Sequence, residues 1–214
     1  MFLYVFLVAV MFRLPSPVPL PPPDTTGGMS LSQALDERRS VRSFSETDSL
    51  TLQQLAQLLW AAQGKTGARG GRTAPSAGAT YPLEALCVVD RVSGLEPGLY
   101  RYSPVEHHLV PLFHSEGLAR ELAAACLGQS WMARASATLI LSAIYSRTTD
   151  HYGIRGTRYV DMEAGHAGQN IYLQAVALGL GTCAVGAFRE ADVARLLRLD
   201  GVEPLYIFPV GVRE

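Results

Sequence analysis

The sequence predicts an α+β domain, a central sheet with helices around it. Three observations carry the prediction. The chain has 214 residues, room for one substantial domain and too few for two comfortable ones. Its hydrophobic fraction of 48% is enough to build a core. Apolar runs of strand character are interspersed with segments whose apolar residues recur at helical spacing, in an order that suits α+β.

In chain order, Ser30 is placed to cap a short helix ending near Arg39, because its hydroxyl can accept a free N–H of the first turn. Residues 51–63 carry Leu52, Leu55, Ala56, Leu58 and Leu59, a helical stripe that Gly64 stops. Residues 65–79, rich in Gly, Arg and Ser, read as loop. A buried strand is expected at 83–90, and a hairpin from 98–102 and 108–113 around Ser103-Pro104. Helices follow at about 115–127 and 129–133, then an apolar strand at 137–145. The longest helix should span 158–178, about 30 Å at 1.5 Å per residue. Ala164, Gly165, Ala167 and Gly168 leave it almost without side-chain bulk on one stretch. A helical glycine costs about 1 kcal/mol against alanine, so close backbone packing is expected there. A strand at 181–185, a helix at 189–199 and a strand at 205–210 finish the chain.

Residues 1–29 read as an apolar and Pro-rich N-terminal arm, with the folded domain at 30–214. Met1 to Phe12 is unbroken apolar sequence, but as a helix it would reach only about 18 Å, short of the ~20 residues that a bilayer needs. Positive charge follows the run instead of preceding it, unlike a secretory signal. The expectation is an arm packed on its own or a partner subunit, joined through an extended spacer at 15–23, with a weak anchor or a misassigned start as alternatives and no stable membrane insertion. Charge is balanced at 18 basic against 19 acidic residues, which argues against nucleic acid held by bulk electrostatics. Cys87, Cys126 and Cys183 are far apart in apolar stretches, so buried thiols in a reducing cytoplasm are expected rather than disulfides or a zinc site. The histidines assemble no metal constellation.

Three stretches carry chemistry. Arg38-Arg39-Ser40-Val41-Arg42 puts three guanidiniums and a hydroxyl within five residues after a helix. Such forks match phosphate oxygens, although a solvated basic helix end is an equally simple reading. The run from Arg72 to Pro82 holds small residues between two prolines, as either a ligand-facing backbone or an ordinary turn. Gly179-Leu-Gly-Thr-Cys-Ala imitates a dinucleotide fingerprint, but a helix precedes it and a strand follows, the reverse of what that fingerprint needs. Val185-Gly186 fits better as a bared backbone N–H at a strand end, aimed at a ring nitrogen.

R-R-S-V-R, P-S-A-G-A-T-Y-P, R-Y-V-D-M-E-A-G-H-A-G-Q-N, A-L-G-L-G-T-C-A-V-G-A-F and the closing P-V-G, in this order from Ser30 to Arg213, resemble the nitroreductase superfamily and its SagB/ThcOx-type branch. The resemblance implies an antiparallel-rich sheet flanked by helices in an intertwined homodimer, with FMN held by both protomers and NADH or NADPH as electron donor. It assigns Arg38, Arg39, Ser40 and Arg42 to the phosphate, ribityl chain and pyrimidine edge, with Arg213 completing the clamp. Pro75, Ser76 and Ala77 would line the ring system from the other subunit, and the Val185-Gly186 backbone would face flavin N5. The small-residue stretch of the long helix would pack across the dimer interface. Where azoline oxidases of this branch carry Lys-Tyr, this chain has His151-Tyr152, so His151 is a candidate proton carrier. The activity implied is two-step transfer of hydride from NAD(P)H to a small nitro or quinone acceptor. Flavin-dependent oxidation of a peptide azoline, or flavin binding without catalysis, are the alternatives.

Overall fold

The computed structural model describes residues 16–67 and 70–214. The chain begins with β1 (Val18–Pro19), α1 (Leu31–Glu37) and α2 (Leu52–Gln63), followed by β2 (Lys65–Thr66) and β3 (Gly71–Arg72). β4 (Leu83–Val89), β5 (Gly98–Ser103), β6 (His108–His114), α3 (Leu118–Ala125) and β7 (Ala137–Ala143) come next. α4 (Ser146–Tyr152), α5 (Arg155–Ala177), β8 (Leu180–Thr182), α6 (Glu190–Leu196) and β9 (Glu203–Val212) complete it. Among the described residues, seven strands form one sheet in the order β1-β6-β5-β4-β7-β9-β8, and every pairing in it is antiparallel. β2 and β3 make a separate small hairpin.

The two-residue period of the strands divides the core into two layers. Leu139, Leu141 and Phe208 turn to one face, where Leu55 and Leu59 of α2 and Val160 and Ile171 of α5 cover them. Ile140 and Ile207, one residue out of step, turn to the other face beneath Leu118 and Leu122 of α3 and Val193 of α6. β7 is therefore buried along its whole length.

The helix starts follow the expected cap chemistry. Ser30 Oγ accepts from Gln33 N–H at 3.2 Å. Thr51 and Gln54 form a reciprocal capping box at 3.1 and 2.9 Å. α2 stops at Gly64, where a Cβ would lie 2.1 Å from Trp60 Cδ1.

Several expectations are revised. The loop at 65–79 contains the β2–β3 hairpin and a 3-10 turn at Ala77–Ala79. α4 was not expected, since Ser-Arg-Thr-Thr-Asp-His-Tyr has no apolar period to announce a helix. The strand at 181–185 is shorter, ending at Thr182 before Val185 meets Ile207 in an isolated bridge.

Packed structure also extends upstream of Ser30. Val18 pairs with Leu109 and Pro19 with His108, and Leu20 is buried. The imidazole of His107 links Tyr102 to the Pro21 carbonyl, with both contacts at 2.8 Å. Asp24 and Gln57 exchange two hydrogen bonds at 2.8 and 2.9 Å. Met1 to Phe12, the apolar run of the arm, lies outside the described residues.

Three of the four small residues of α5 pack inward within this chain. Ala164, Ala167 and Gly168 are buried, and a Cβ on Gly168 would sit 2.6 Å from Phe208 Cζ. Gly165 alone of the four faces outward, with nothing within 4 Å of its would-be Cβ. The interface assignment is therefore withdrawn for Gly168, because the absent side chain makes room for a buried ring. Replacing Gly168 with alanine should destabilise the fold by about 1–2 kcal/mol, since overpacking against Phe208 outweighs the gain in helix propensity. A urea unfolding midpoint no lower than that of the native protein would contradict this packing.

Candidate flavin site

The segment after α1 is held extended across the edge of the sheet. Val41 N–H donates to the Thr182 carbonyl at 2.9 Å, and Phe44 bridges Arg213. Gly181 permits the approach: a Cβ there would lie 2.7 Å from Val41 Cγ1 and 3.3 Å from Arg213 Cγ. Arg213 donates through Nε to the Leu180 carbonyl at 2.9 Å, which leaves its terminal nitrogens available. Arg38, Ser40, Arg42 and Arg213 thus lie around β8 and the end of β9.

Tyr172, one unremarkable tyrosine of the long helix in the sequence, joins these parts. Its hydroxyl accepts from Ala184 N–H at 2.7 Å and lies 3.0 Å from Ser40 Oγ. The Arg38 guanidinium lies over its ring, 5.1 Å from the centroid. Two residues beyond Ala184, the exposed Gly186 N–H has no acceptor among the described residues. Val185 is bound on both sides to Ile207, at 2.8 and 3.1 Å, so the backbone that presents Gly186 is fixed.

Arg39 turns away from this group, donating to the carbonyls of Asp36 and Arg38 at the end of α1. Arg42 lies over the Trp131 ring at 5.8 Å. Among the described residues neither Arg38, Arg42 nor Arg213 has a carboxylate partner. Three unneutralised guanidiniums, a hydroxyl and a free N–H form a donor set lacking an acceptor. That chemistry fits a phosphorylated, ring-bearing cofactor such as FMN.

Pro75, Ser76 and Ala77 lie elsewhere, and His151 and Tyr152 lie with them rather than with Gly186. A Cβ on Gly78 would stand 2.6 Å from the Tyr152 hydroxyl. Tyr152 in turn packs edge-on against His151 and Tyr159 at 4.5 and 5.1 Å. The loop is strained, with positive φ at Ala79 (54°) and Tyr81 (47°), and Ser76 Oγ accepts from Tyr81 N–H at 3.0 Å to hold it. Asn170 of α5 anchors the start of the loop through the Thr73 carbonyl at 3.3 Å.

Glu163, also missed from the sequence, is 3% exposed, with Ser76, Gln63 and Arg72 around it. Burial pushes its carboxyl up to about 7, only partly opposed by those neighbours. Its Oε1 and the Gln63 Nε2 both end without a well-formed hydrogen bond. Glu163 and Tyr172 stand about 14 Å apart along the axis of α5, with Ser76 beside the first and Ser40 beside the second.

A cavity of about 520 Å³ between Asp24–Met29, Trp60 and Gln174 contains none of these residues. Ser40, Arg42, Gly186 and Arg213 are exposed, and with Arg38 they form the candidate site. The cysteines take no part in it: all three are buried and free, and burial pushes Cys126 up to about 11. No group of metal-binding side chains occurs among the described residues.

Residues 35–212 match the model of the nitroreductase family. The chain belongs to the nitroreductase family. A Methanocaldococcus jannaschii protein whose name places it among the nitroreductases is 47% identical over 183 residues, 86% of this chain and 91% of that one. A Ralstonia eutropha JMP134 crystal structure, also named for the nitroreductases, superposes with a TM-score of 0.80 at 30% identity, covering 92% and 90% of the two chains. A chain of the E. coli microcin synthetase McbBCD complex shares the fold at 22% identity and a TM-score of 0.70, over 100% of this chain and 85% of that one. The trifolitoxin-processing protein of Rhizobium leguminosarum is 29% identical over 139 residues, 63% of this chain and 37% of its own length. Membership of the nitroreductase family makes the chain an oxidoreductase with the expected antiparallel sheet flanked by helices.

The buried Glu163 carries a pH signature. Its folded value, about 7, exceeds the ordinary 4.5. Between these values the folded protein keeps a proton that the unfolded chain releases, so stability falls as pH rises and the penalty is complete above about 7. Glu163→Gln should abolish this dependence. Unfolding midpoints at pH 5 and pH 8 should therefore show wild type losing ground to the variant at the higher pH. Parallel curves would exclude a buried, raised Glu163.

Proposed function

We propose that the chain is an FMN-dependent oxidoreductase working as a homodimer, taking hydride from NADH or NADPH and reducing a small nitro, quinone or similar acceptor in two steps. The observation that carries this reading is the cluster of Arg38, Arg42 and Arg213 without acidic partners, beside Ser40 and the free Gly186 N–H. FMN bound there would accept and return hydride at N5. The protein's own work is binding and orientation. Arg38, Arg42 and Arg213 supply charge-assisted donors for a phosphate and its neighbouring oxygens. Gly186 offers a backbone donor to a ring nitrogen. No side-chain acid or base is required for hydride transfer itself.

The separation of Pro75, Ser76 and Ala77 from that cluster supports the homodimer. If these residues line the ring system, a second copy must supply them. Exposed apolar side chains give the copies something to bury: Met162 on α5 is 52% exposed and Leu31 on α1 is 65% exposed. A cytoplasmic setting accords with the buried thiols, and no helix among the described residues is long and apolar enough to cross a membrane.

A second reading, oxidation of a peptide azoline, draws on His151 and Tyr152 standing against the Pro75–Gly78 loop, where they would reach a partner's flavin. The relative named as a trifolitoxin-processing protein is in keeping with a processing role. A flavin-binding module without catalysis is the third.

The deciding measurement is the absorbance spectrum of the purified protein, followed by anaerobic addition of NADPH and then NADH. An oxidised-flavin spectrum bleached by either donor is expected. A yellow protein that neither donor bleaches points to the other two readings, and one that cannot be loaded with FMN overturns the assignment. Arg38→Ala with Arg42→Ala should yield folded protein that binds FMN at least tenfold more weakly, as loss of two charged hydrogen bonds requires. Met162→Lys should weaken the dimer and lower FMN affinity with it; a variant as dimeric and as well loaded as wild type would displace α5 from the interface.

A further inference from the structure

Ser40 is the member of the donor set whose usefulness depends on where its proton points. A serine hydroxyl holds one hydrogen and can accept as readily as donate. Left to itself, an exposed serine beside arginines spends that hydrogen on water or a carbonyl. Tyr172 biases the choice. Ala184 N–H can only donate, and it donates to the Tyr172 oxygen at 2.7 Å. The phenol proton is then directed elsewhere, and Ser40 Oγ stands 3.0 Å away to accept it. With a lone pair of Ser40 occupied, its own proton is left free, and Ser40 is exposed toward the side where Arg38 and Arg42 await an anion.

We propose that Tyr172 is a positioning residue of the flavin site, relaying the Ala184 N–H through its hydroxyl so that Ser40 serves as a one-way donor to the bound cofactor. This rests on the flavin reading above. The relay runs Ala184 N–H to Tyr172 O–H to Ser40 O–H to a ligand oxygen, each hydroxyl accepting once and donating once. Hydrogen bonds in such a chain polarise one another, so the last donor is strengthened by the first. The ring has a second task, because Arg38 lies over its face at 5.1 Å while Phe208 meets it edge-on at 6.0 Å. Tyr172 is thereby held from below by the core and from above by the cation. It also ties the Arg38–Arg42 segment to the strand end that carries Gly186, so the two ends of the cofactor site are set by one side chain.

The test is a double-mutant cycle on FMN affinity, read by quenching of flavin fluorescence at fixed salt, with Tyr172→Phe, Ser40→Ala and the pair. Phenylalanine keeps the ring, the Arg38 contact and the packing on Phe208, and removes only the hydroxyl. Each single variant should weaken FMN binding about five- to tenfold, the worth of one hydrogen bond of ordinary strength. The double variant should be no weaker than the worse single one, because both changes cut the same chain. Wild-type affinity in Tyr172→Phe, or losses that multiply in the pair, would overturn the relay. Unfolding midpoints of the apo variants control for folding. Should Tyr172→Phe not fold, Ser40→Ala still decides, because its exposed side chain carries no packing and unchanged FMN affinity there means that Ser40 donates nothing to the ligand. Wild-type protein that takes up no FMN would sink the flavin reading and the relay together, whereas a loaded wild type with an indifferent Tyr172→Phe sinks the relay alone.

Discussion

The functional face depends on how closely α5 lies on β9. Gly168 brings the helix backbone so near that no side chain fits between it and the Phe208 ring. One turn further along, the same approach carries Tyr172 to the edge of the sheet, within hydrogen-bonding reach of Ala184 and Ser40. A helix standing a methyl group further out would take that hydroxyl away from both. Close packing in the core is thus converted into the position of a polar atom at the surface, because tightly packed interiors transmit displacement rather than absorb it.

The arginines of this face keep their charge. Arg134, Arg147, Arg189 and Arg195 all find carboxylates nearby, whereas Arg38, Arg42 and Arg213 lean on an aromatic ring or a backbone carbonyl. Aromatic faces hold guanidiniums in place without neutralising them, so the positive field is kept for an incoming anion. The other half of the polar machinery sits on a loop with unfavourable φ at two non-glycine residues, over a buried acid. Such strain persists where the surroundings over-determine it, here through Ser76, Asn170 and the Tyr152 hydroxyl packed on Gly78.

Much of this was legible in the sequence, and the part that was not has identifiable causes. Ser30 and Thr51 announced their helices because capping is local chemistry. β4 and β7 announced themselves because strands buried on both faces are apolar throughout. The arginine segment and the Val185-Gly186 turn were visible as motifs, and the fold brings most of their members together. Tyr172 and Glu163 were not, because a tyrosine and a glutamate in a long helix are unremarkable until the facing elements are known. α4 escaped because helices with no apolar stripe take their stability from neighbours. The inward role of Gly168 was unreadable for a related reason: small residues declare that something comes close without saying from which side.

The two borders of the sheet have a consequence of their own. At one, β1 is two residues long and contains Pro19, which offers no N–H to a newcomer. At the other, the Arg38–Phe44 segment lies along β8 and takes the Thr182 carbonyl. Where Pro19 and the Arg38–Phe44 segment stand, the borders offer a newcomer fewer donors and acceptors, so strand-by-strand polymerisation, the common hazard of exposed sheet edges, is hindered at those points. Self-association through helical faces would avoid that hazard, because contacts there are made by side chains and can be closed and finite.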